Sequence, residues 1–204
     1  MCAIVALVSS GSFHFGFEQK RSFGPTTKNI SKAGDDLWRR DRERILILPS
    51  EAKSLVVRNL LPLGTQSLLK VPVAMRHGDY EWNEQGISAG QVQIWVDLRR
   101  QMISAFRNGH EIGTAVIVYG AEDSSSPEGR FQVLNKVRDY HSRLYDAPMP
   151  YSLFITTDGV ALHGSPMSAR RASHGCIGLP EKFAETLFDA VEVGDFVEIT
   201  RSVD

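Results

Sequence analysis

Cys176 is the only cysteine of the chain outside its first two residues, and it ends the run Ser173-His174-Gly175-Cys176. A further histidine, His163, lies a short distance upstream. The thiolate is the nucleophilic form of cysteine, and a neighbouring imidazole is the commonest means of lowering a thiol pKa toward neutrality. A lone cysteine is otherwise most often a small buried apolar residue. The two nearby histidines favour nucleophilic acyl-transfer chemistry over that packing role.

The residues before His163 are typical of a tight turn followed by a strand. Asp158-Gly159 is a hairpin-type pair, and the apolar residues 160–162 come directly after it. This order predicts that His163 lies at the end of a strand.

The residues around Cys176 predict a tight turn followed by a helix. Gly175 permits the turn, and Pro180 with Glu181 begins a helical pattern. Cys176 is therefore expected at or just before the start of a helix. The backbone amides of Gly175 and Cys176 are expected to favour the thiolate and to form an oxyanion hole.

The string His163-Gly164, followed by Ser173-His174-Gly175-Cys176-Ile177 and by Leu179-Pro180, resembles the signature of the L,D-transpeptidase catalytic domain, the YkuD-like family. The resemblance covers about residues 90 to 200. It implies a mainly β, β-sandwich-like L,D-transpeptidase catalytic domain with a few short helices and a small N-terminal extension. Its upstream landmarks are residues 92–98, Gln101, Gly109, residues 127–131 and residues 149–151.

The resemblance also implies the chemistry and the substrate. Cys176 would be the nucleophile of an L,D-transpeptidase, a cysteine acyltransferase of cell-wall biogenesis, and His163 its general base and acid. The substrate would be a peptidoglycan stem peptide, held as a thioester before transfer to an amine. No metal or nucleotide cofactor is expected, and carbapenem-type inhibitors are expected to acylate the enzyme. Ser173, His174 and Gly164 are expected to shape the site.

Three further residues are candidates for substrate binding. Tyr151 is a candidate wall of the substrate groove, although an aromatic residue after proline more often has a packing role. Arg170 and Arg171 are candidates for contact with a substrate carboxylate, although exposed arginines are more often simply solvated.

The sequence departs from the family pattern at two places. Gly178 stands where family members commonly carry Arg or Asn, and the loop between His163 and Ser173 is shorter than in many members. Three alternatives therefore stay open: an L,D-carboxypeptidase or hydrolase of the cell wall, a catalytically inactive wall-binding relative, and a zinc site formed by His163, His174 and Cys176. The zinc alternative is weak because three ligands without a second short pair are a poor zinc signature.

The composition limits the size of the domain and argues against nucleic-acid binding and a disulfide-based fold. The chain has 204 residues, of which 42% are hydrophobic, enough for one moderate domain with an appendage. The net charge of -1 and the lack of a dense basic patch argue against nucleic acid as a partner. Two cysteines do not make a disulfide framework. We make no prediction of the oligomeric state.

The chain is divided in sequence into four parts. Residues 1–17 resemble a partial signal or anchor segment, with a packed or disordered N-terminus and a misplaced start as alternatives. Residues 18–44 form a charged linker or tether, and residues 45–89 an N-terminal extension that packs on the catalytic domain at 90–201. This organisation and the family resemblance predict the periplasm or cell envelope.

Hydrophobic periodicity predicts the remaining elements. Residues 45–48 are expected to form a short buried strand, and Ser50 to cap a helix over 51–61. Strands are expected from Gly90 onward, whereas residues 135–150 are expected to form a long loop that walls the groove. A turn is expected at 107–109, and a last strand at 196–199. Between them a helix is expected to turn Phe183, Leu187 and Val191 toward the core. The side chains of the first helix that are expected to face the core are Ala52, Leu55, Val56 and Leu60.

Overall fold

The computed structural model describes residues 44–71, 74–120, 126–167 and 175–203. All of them belong to one compact unit, Lys32–Asp204. The elements of these described ranges are β1 Arg44–Leu46, α1 Pro49–Val57, β2 Ser67–Leu69, β3 Tyr80–Trp82, β4 Val92–Asp97, β5 Met102–Arg107, β6 His110–Val116, β7 Gly129–Gln132, β8 Asn135–Ser142, β9 Ala147–Phe154, β10 Ala161–Gly164, β11 Ile177–Leu179, α2 Glu181–Ala190 and β12 Phe196–Thr200.

The strands form two sheets, which confirms the prediction of a mainly β, sandwich-like fold. The larger sheet has the order β1-β2-β6-β5-β4-β12-β7, and β3 pairs with β6. The smaller sheet has the order β11-β10-β9-β8. Alternate residues of β4, such as Ile94 and Val96, share one buried core with Leu153 and Leu162 of the smaller sheet and with α2.

The hairpin of β5 and β6 and the helix α2 follow the predicted pattern. Asn108 and Gly109 have φ values of 51° and 78°, the left-handed pair that a two-residue hairpin turn requires. Phe183, Leu187 and Val191 are fully buried, as their fourfold spacing predicts. The last strand, β12, also lies where it was expected.

The prediction of a loop at residues 135–150 is wrong, because most of this segment forms β8 and the first half of β9. Prolines at positions 148 and 150 suggested irregular chain, since proline cannot donate to a ladder. Both prolines face β8, at His141 and Asp139, in a stretch of β9 that does not pair with β10. A sheet tolerates proline where one side of the strand lacks a partner.

The prediction of a buried strand at residues 45–48 is correct for the strand and wrong for its burial. β1 pairs with β2 at the end of the larger sheet. Ile45 and Leu48 are 47% and 60% exposed. Apolar residues on an end strand have one side without a covering layer, so their hydrophobicity alone did not indicate burial.

Helix α1 differs from the prediction at both ends. It begins at Pro49, so Ser50 lies inside the helix; the N–H of Leu48 is bonded by the Glu51 carboxylate at 3.1 Å. It ends at Val57 because Asn59 adopts a left-handed conformation with φ 52°. The four residues expected to face the core, Ala52, Leu55, Val56 and Leu60, are half-buried.

A buried polar network attaches the first two strands to the larger sheet. The Arg44 guanidinium donates to the carbonyl oxygens of Glu111 and Asn83. The Glu111 carboxylate accepts from the N–H of Leu69 at 2.7 Å and from the Ser104 hydroxyl at 2.6 Å. Strands β1, β2, β5 and β6 are therefore joined by side chains as well as by their ladders.

The N-terminal assignments at residues 1–17 and at nearly all of residues 18–44 lie outside the described residues. Within the described part of the chain, none of the helices combines the length and the apolar character needed to cross a membrane.

Candidate active site

His163 lies on β10, and Cys176 directly precedes β11, which pairs with β10 in parallel. In the β10–β11 ladder His163 lies opposite Gly178 and Leu162 opposite Ile177. Cys176 directly precedes β11, so the register continues to Ala161, with which Cys176 packs. Residues 161 and 163 lie two apart on one strand and share a face. The thiol and the imidazole are therefore diagonal neighbours on the same face of the smaller sheet.

The hydrogen bond of His163 defines its tautomer. Its Nδ1 lies 2.9 Å from the carbonyl oxygen of Gly164, which can only accept a hydrogen bond. Nδ1 must therefore carry a proton. In the neutral ring Nε2 is then the unprotonated nitrogen, the form that a general base requires.

Burial favours the neutral forms of both groups. His163 is 8% exposed and Cys176 is 9% exposed. Desolvation lowers the pKa of His163, against the smaller opposite effect of its bond to Gly164. Desolvation also raises the pKa of the Cys176 thiol, against the N–H of Ala161. The expectation of a thiol pKa lowered toward neutrality is therefore wrong for this structure, because burial outweighs the favourable contacts.

The turn between β9 and β10 contacts the sulfur. Cys176 Sγ lies 3.8 Å from the carbonyl oxygen of Gly159, toward which the S–H donates. Gly159 has a φ of 102°, which confirms the hairpin-type turn predicted from Asp158-Gly159. A carbonyl oxygen can only accept, so this contact is available to the protonated thiol.

The chain turns at Gly175, which has a φ of 97°, and then enters β11. Cys176 is therefore not at a helix start, because the strand β11 and Pro180 separate it from α2, which begins at Glu181. The sequence missed a strand of three residues that is too short to show a period. The oxyanion hole of Gly175 and Cys176 stays a prediction that depends on the turn alone.

Gly178 occupies a position with no space for a side chain. A Cβ there would lie 2.7 Å from Val118 Cγ2 and 2.8 Å from Ser165 Cβ. Its N–H and C=O both bond to Val118, at 2.7 and 2.9 Å, which joins β11 to the segment that follows β6. The glycine that departs from the family pattern is thus required by close packing.

Gly164 also lies in a close contact. A Cβ at this position would lie 3.1 Å from Pro150 Cγ and 3.4 Å from Glu181 Cγ. The glycine lets β10 approach β9 and α2, and its carbonyl orients the His163 ring.

Tyr151 lies against α2 rather than in the group around Cys176. Its ring contacts Phe188 edge-on, with centroids 6.1 Å apart, in the main core. These contacts describe packing, and a substrate contact stays a prediction. The candidates Arg170, Arg171, Ser173 and His174 lie outside the described residues.

Sequence reasoning assigned no role to the apolar side chains around the thiol. Met149, Tyr140 and Phe154 pack in one cluster with Cys176. The rings of Tyr140 and Phe154 meet edge-on with centroids 5.0 Å apart. The prediction of a loop at residues 135–150 gives no reason to place Tyr140 and Met149 beside Cys176, because they face each other only across the β8–β9 ladder.

In the described ranges no group of three or more His, Cys, Asp or Glu side chains is arranged to hold a metal ion. His174, the third ligand of the zinc alternative, is outside those ranges.

The two-sheet fold with a thiol and an imidazole on neighbouring strands defines a β-rich domain with a Cys/His site. The family model described as YkuD, the L,D-transpeptidase catalytic domain, matches residues 91–199. The chain belongs to this family.

Comparisons with individual proteins agree with the family assignment. L,D-transpeptidase 1 of Mycobacterium tuberculosis is 29% identical over 133 residues, which are 56% of this chain and 53% of the relative. The chain thus spans about half the length of that relative. A solved L,D-transpeptidase in complex with imipenem is 28% identical, with a TM-score of 0.50 over 53% of this chain and 58% of the other.

The solved structure of a cysteine-to-serine variant of an L,D-transpeptidase from Enterococcus faecium is similar to the chain to about the same extent. It is 29% identical, with a TM-score of 0.50, and the match covers 54% of this chain and 50% of the other.

Proposed function

We propose that this chain is a cysteine-dependent L,D-transpeptidase that acts on peptidoglycan stem peptides through a thioester at Cys176. The main support is the parallel β10–β11 pair, which sets Cys176 beside the strand that carries His163. Membership of the YkuD family supplies the reaction class. Because its proposed substrate lies in the cell wall, we also propose that the enzyme works in the periplasm or cell envelope.

The acylation step starts from the neutral pair. Nε2 of His163 accepts the proton of Cys176, and the sulfur bonds to the carbonyl carbon between the third stem residue and the terminal D-alanine. The amides of Gly175 and Cys176 stabilise the tetrahedral oxyanion. Its collapse breaks the C–N bond, and the imidazolium gives its proton to the departing amine of D-alanine. The products are a thioester and free D-alanine.

The second step resolves the thioester. An acceptor amine attacks the carbonyl carbon and gives a proton to Nε2 of His163. The C–S bond breaks, and Cys176 recovers the proton as the new amide leaves. Water in place of the amine would give a free acid, which is the carboxypeptidase alternative.

Imipenem is the probe for this proposal, because a structure 28% identical to the chain is of a complex with it. We expect intact-mass spectra to show the gain of one imipenem on the wild type and on Cys2→Ser, and no gain on Cys176→Ala. His163→Ala should slow the gain by about 10²–10⁴-fold, the usual contribution of a general acid–base histidine. An equal gain on Cys176→Ala, or no gain on the folded wild type, would exclude Cys176 as the nucleophile.

Purified tetrapeptide stems then identify the acceptor. Transpeptidation yields cross-linked dimers, whereas the hydrolase alternative yields the free tripeptide acid. A wall-binding protein without activity would instead bind sacculi equally well as the wild type and as Cys176→Ala.

A further inference from the structure

Strand β9 changes the face on which its side chains lie partway along its length. Met149 packs in the small cluster with Cys176 and Ala161, whereas Leu153 packs in the main core. Residues four apart on a regular strand lie on the same face. The strand must therefore turn over between Met149 and Leu153.

The reversal takes place at Tyr151. Its φ of 58° is left-handed, a conformation that is uncommon for a bulky residue and persists only where the surroundings hold it. The ladder of β8 and β9 pairs Pro150 with Asp139 and Ser152 with Val137, and it is interrupted at Tyr151.

Contacts from α2 and β8 hold Tyr151 in this conformation. Its ring lies edge-on to Phe188, and the Arg138 guanidinium lies 5.5 Å from the ring centroid. Burial and the neighbouring Glu185 carboxylate both raise the pKa of the Tyr151 hydroxyl. Arg138 is in turn paired with Asp189 at 2.6 Å. The ring is thus held on the side of the sheet that faces α2, whereas a regular strand would place it on the side of Met149.

The change of face along β9 determines which apolar side chains surround the Cys176 thiol. Met149 faces Tyr140 across the ladder, and Tyr140 packs against Phe154. Together these three side chains form an apolar wall on Cys176. Met149 and Leu153 thus lie on either side of the left-handed residue, one in the wall and the other in the main core.

We propose that Tyr151 is a positioning residue for the nucleophile, whose left-handed backbone turns β9 over and thereby places Met149 and Tyr140 against Cys176. The inference rests on the proposed function only in taking Cys176 as the nucleophile. The wall removes water from the sulfur, in accord with the burial that raises the pKa of this thiol.

The test compares two variants that both remove the ring but differ in backbone preference. Tyr151→Asn tolerates the left-handed conformation, whereas the β-branched Tyr151→Val opposes it. In a Cys2→Ser background, the pH midpoint of iodoacetamide alkylation reports the pKa of Cys176. We expect a lower midpoint for Tyr151→Val and a midpoint near the wild type for Tyr151→Asn. Each unit of decrease makes alkylation about tenfold faster at pH values below both midpoints.

Met149→Ala is the third variant, because it opens the wall and leaves the backbone unchanged. It too should lower the midpoint, and circular dichroism checks that each variant is folded. Among the described ionisable side chains of β8, β9 and β10, Tyr140 packs with Cys176 and His163 lies on the same face of the sheet, whereas Lys136, Arg138 and Tyr151 lie against α2. Tyr140→Phe and His163→Asn are therefore measured beside the wall variants to assign the change to the wall.

An unchanged midpoint in Met149→Ala and in folded Tyr151→Val would overturn the proposal, as would equal shifts in Tyr151→Val and Tyr151→Asn. If Tyr151→Val does not fold, an unchanged midpoint in Met149→Ala overturns it alone. Alkylation needs no peptidoglycan, so this outcome is independent of the imipenem result. A shifted midpoint without an imipenem adduct would reject the proposed function and leave Tyr151 only as a residue that sets the burial of the Cys176 thiol.

Discussion

Burial sets the resting state of the two residues that the chemistry requires. The lowered pKa of His163 and the raised pKa of Cys176 both favour a neutral thiol beside a neutral imidazole. A pre-formed ion pair would need the opposite shifts. In the proposed mechanism the proton then moves from sulfur to Nε2 during the attack, which assigns His163 a part in that step.

This resting state predicts two different pH profiles. Acylation by imipenem requires neutral His163, so its rate should hold down to a pH below about 6.5, the ordinary value for histidine. Alkylation by iodoacetamide requires the thiolate, so its midpoint should lie above the ordinary cysteine value of about 8.5. Stopped-flow acylation and alkylation rates, measured over the pH range in which the protein is folded, check both limits. A single shared midpoint near neutrality would instead indicate a thiolate–imidazolium pair.

Sequence spacing could indicate Cys176 and His163 because a thiol and a histidine at the ends of adjacent elements leave a local pattern. It could not indicate Met149, Tyr140 and Phe154 as the wall of the site. Those three come together only through the β8–β9 ladder. The sign of the thiol pKa shift depends on that burial, so it too was beyond local sequence.

The elements were predictable where one period continues for several residues. The fourfold spacing in α2 predicted both the element and its buried face. In β4 the alternation predicted the strand and the burial of Val92, Ile94 and Val96, but Trp95 and Asp97 on the other face are buried as well. The segment of β8 and β9 was not predictable, since prolines at 148 and 150 are compatible with a strand only if one of its sides is unpaired. That condition is a property of the sheet and not of the segment.

The junction of β11 with Val118 predicts a steric effect at Gly178. Gly178→Ala should destabilise the protein by about 1–3 kcal/mol, the usual effect of overpacking, because its Cβ would lie 2.7 Å from Val118 Cγ2. The double variant Gly178→Ala/Val118→Ala removes one of the two clashing groups and should recover part of the loss. Urea unfolding of the four proteins in this cycle provides the measurement. Strictly additive losses would show that the Val118 contact does not cause the effect.

At the scale of the whole molecule, the Arg44–Glu111 network decides whether β1 and β2 stay attached to the larger sheet. Both side chains are 6% exposed. Removing one partner of a buried, hydrogen-bonded group leaves the others unsatisfied. We therefore expect Glu111→Ala to cost about 1–3 kcal/mol of unfolding free energy, since the Leu69 N–H and the Ser104 hydroxyl lose their acceptor. Glu111→Gln, which keeps the shape and can still accept from Leu69, should cost less, and hydrogen exchange of β2 reports local detachment.

The same carboxylate gives a pH dependence of stability with a definite sign. Desolvation by burial raises the pKa of Glu111, against the hydrogen bond from Ser104 and the others that lower it. The unfolded chain therefore ionises at a lower pH than the folded one. The contribution of Glu111 is fully present below the unfolded pKa of about 4.3 and is lost as the pH rises through the folded value. Glu111→Gln should flatten this part of the curve, and urea unfolding across the window would contradict the argument if the slopes of the two proteins were the same.

The bridge between Val118 and Gly178 also limits how a peptide can approach Cys176. Strand β11 is hydrogen-bonded to β10 on one edge and to Val118 on the other. Many peptide-binding proteins recruit their ligand as an additional strand on an open sheet edge. At Gly178 neither edge is open to a further strand. The stem peptide proposed as substrate would therefore have to contact this part of the site without extending the sheet.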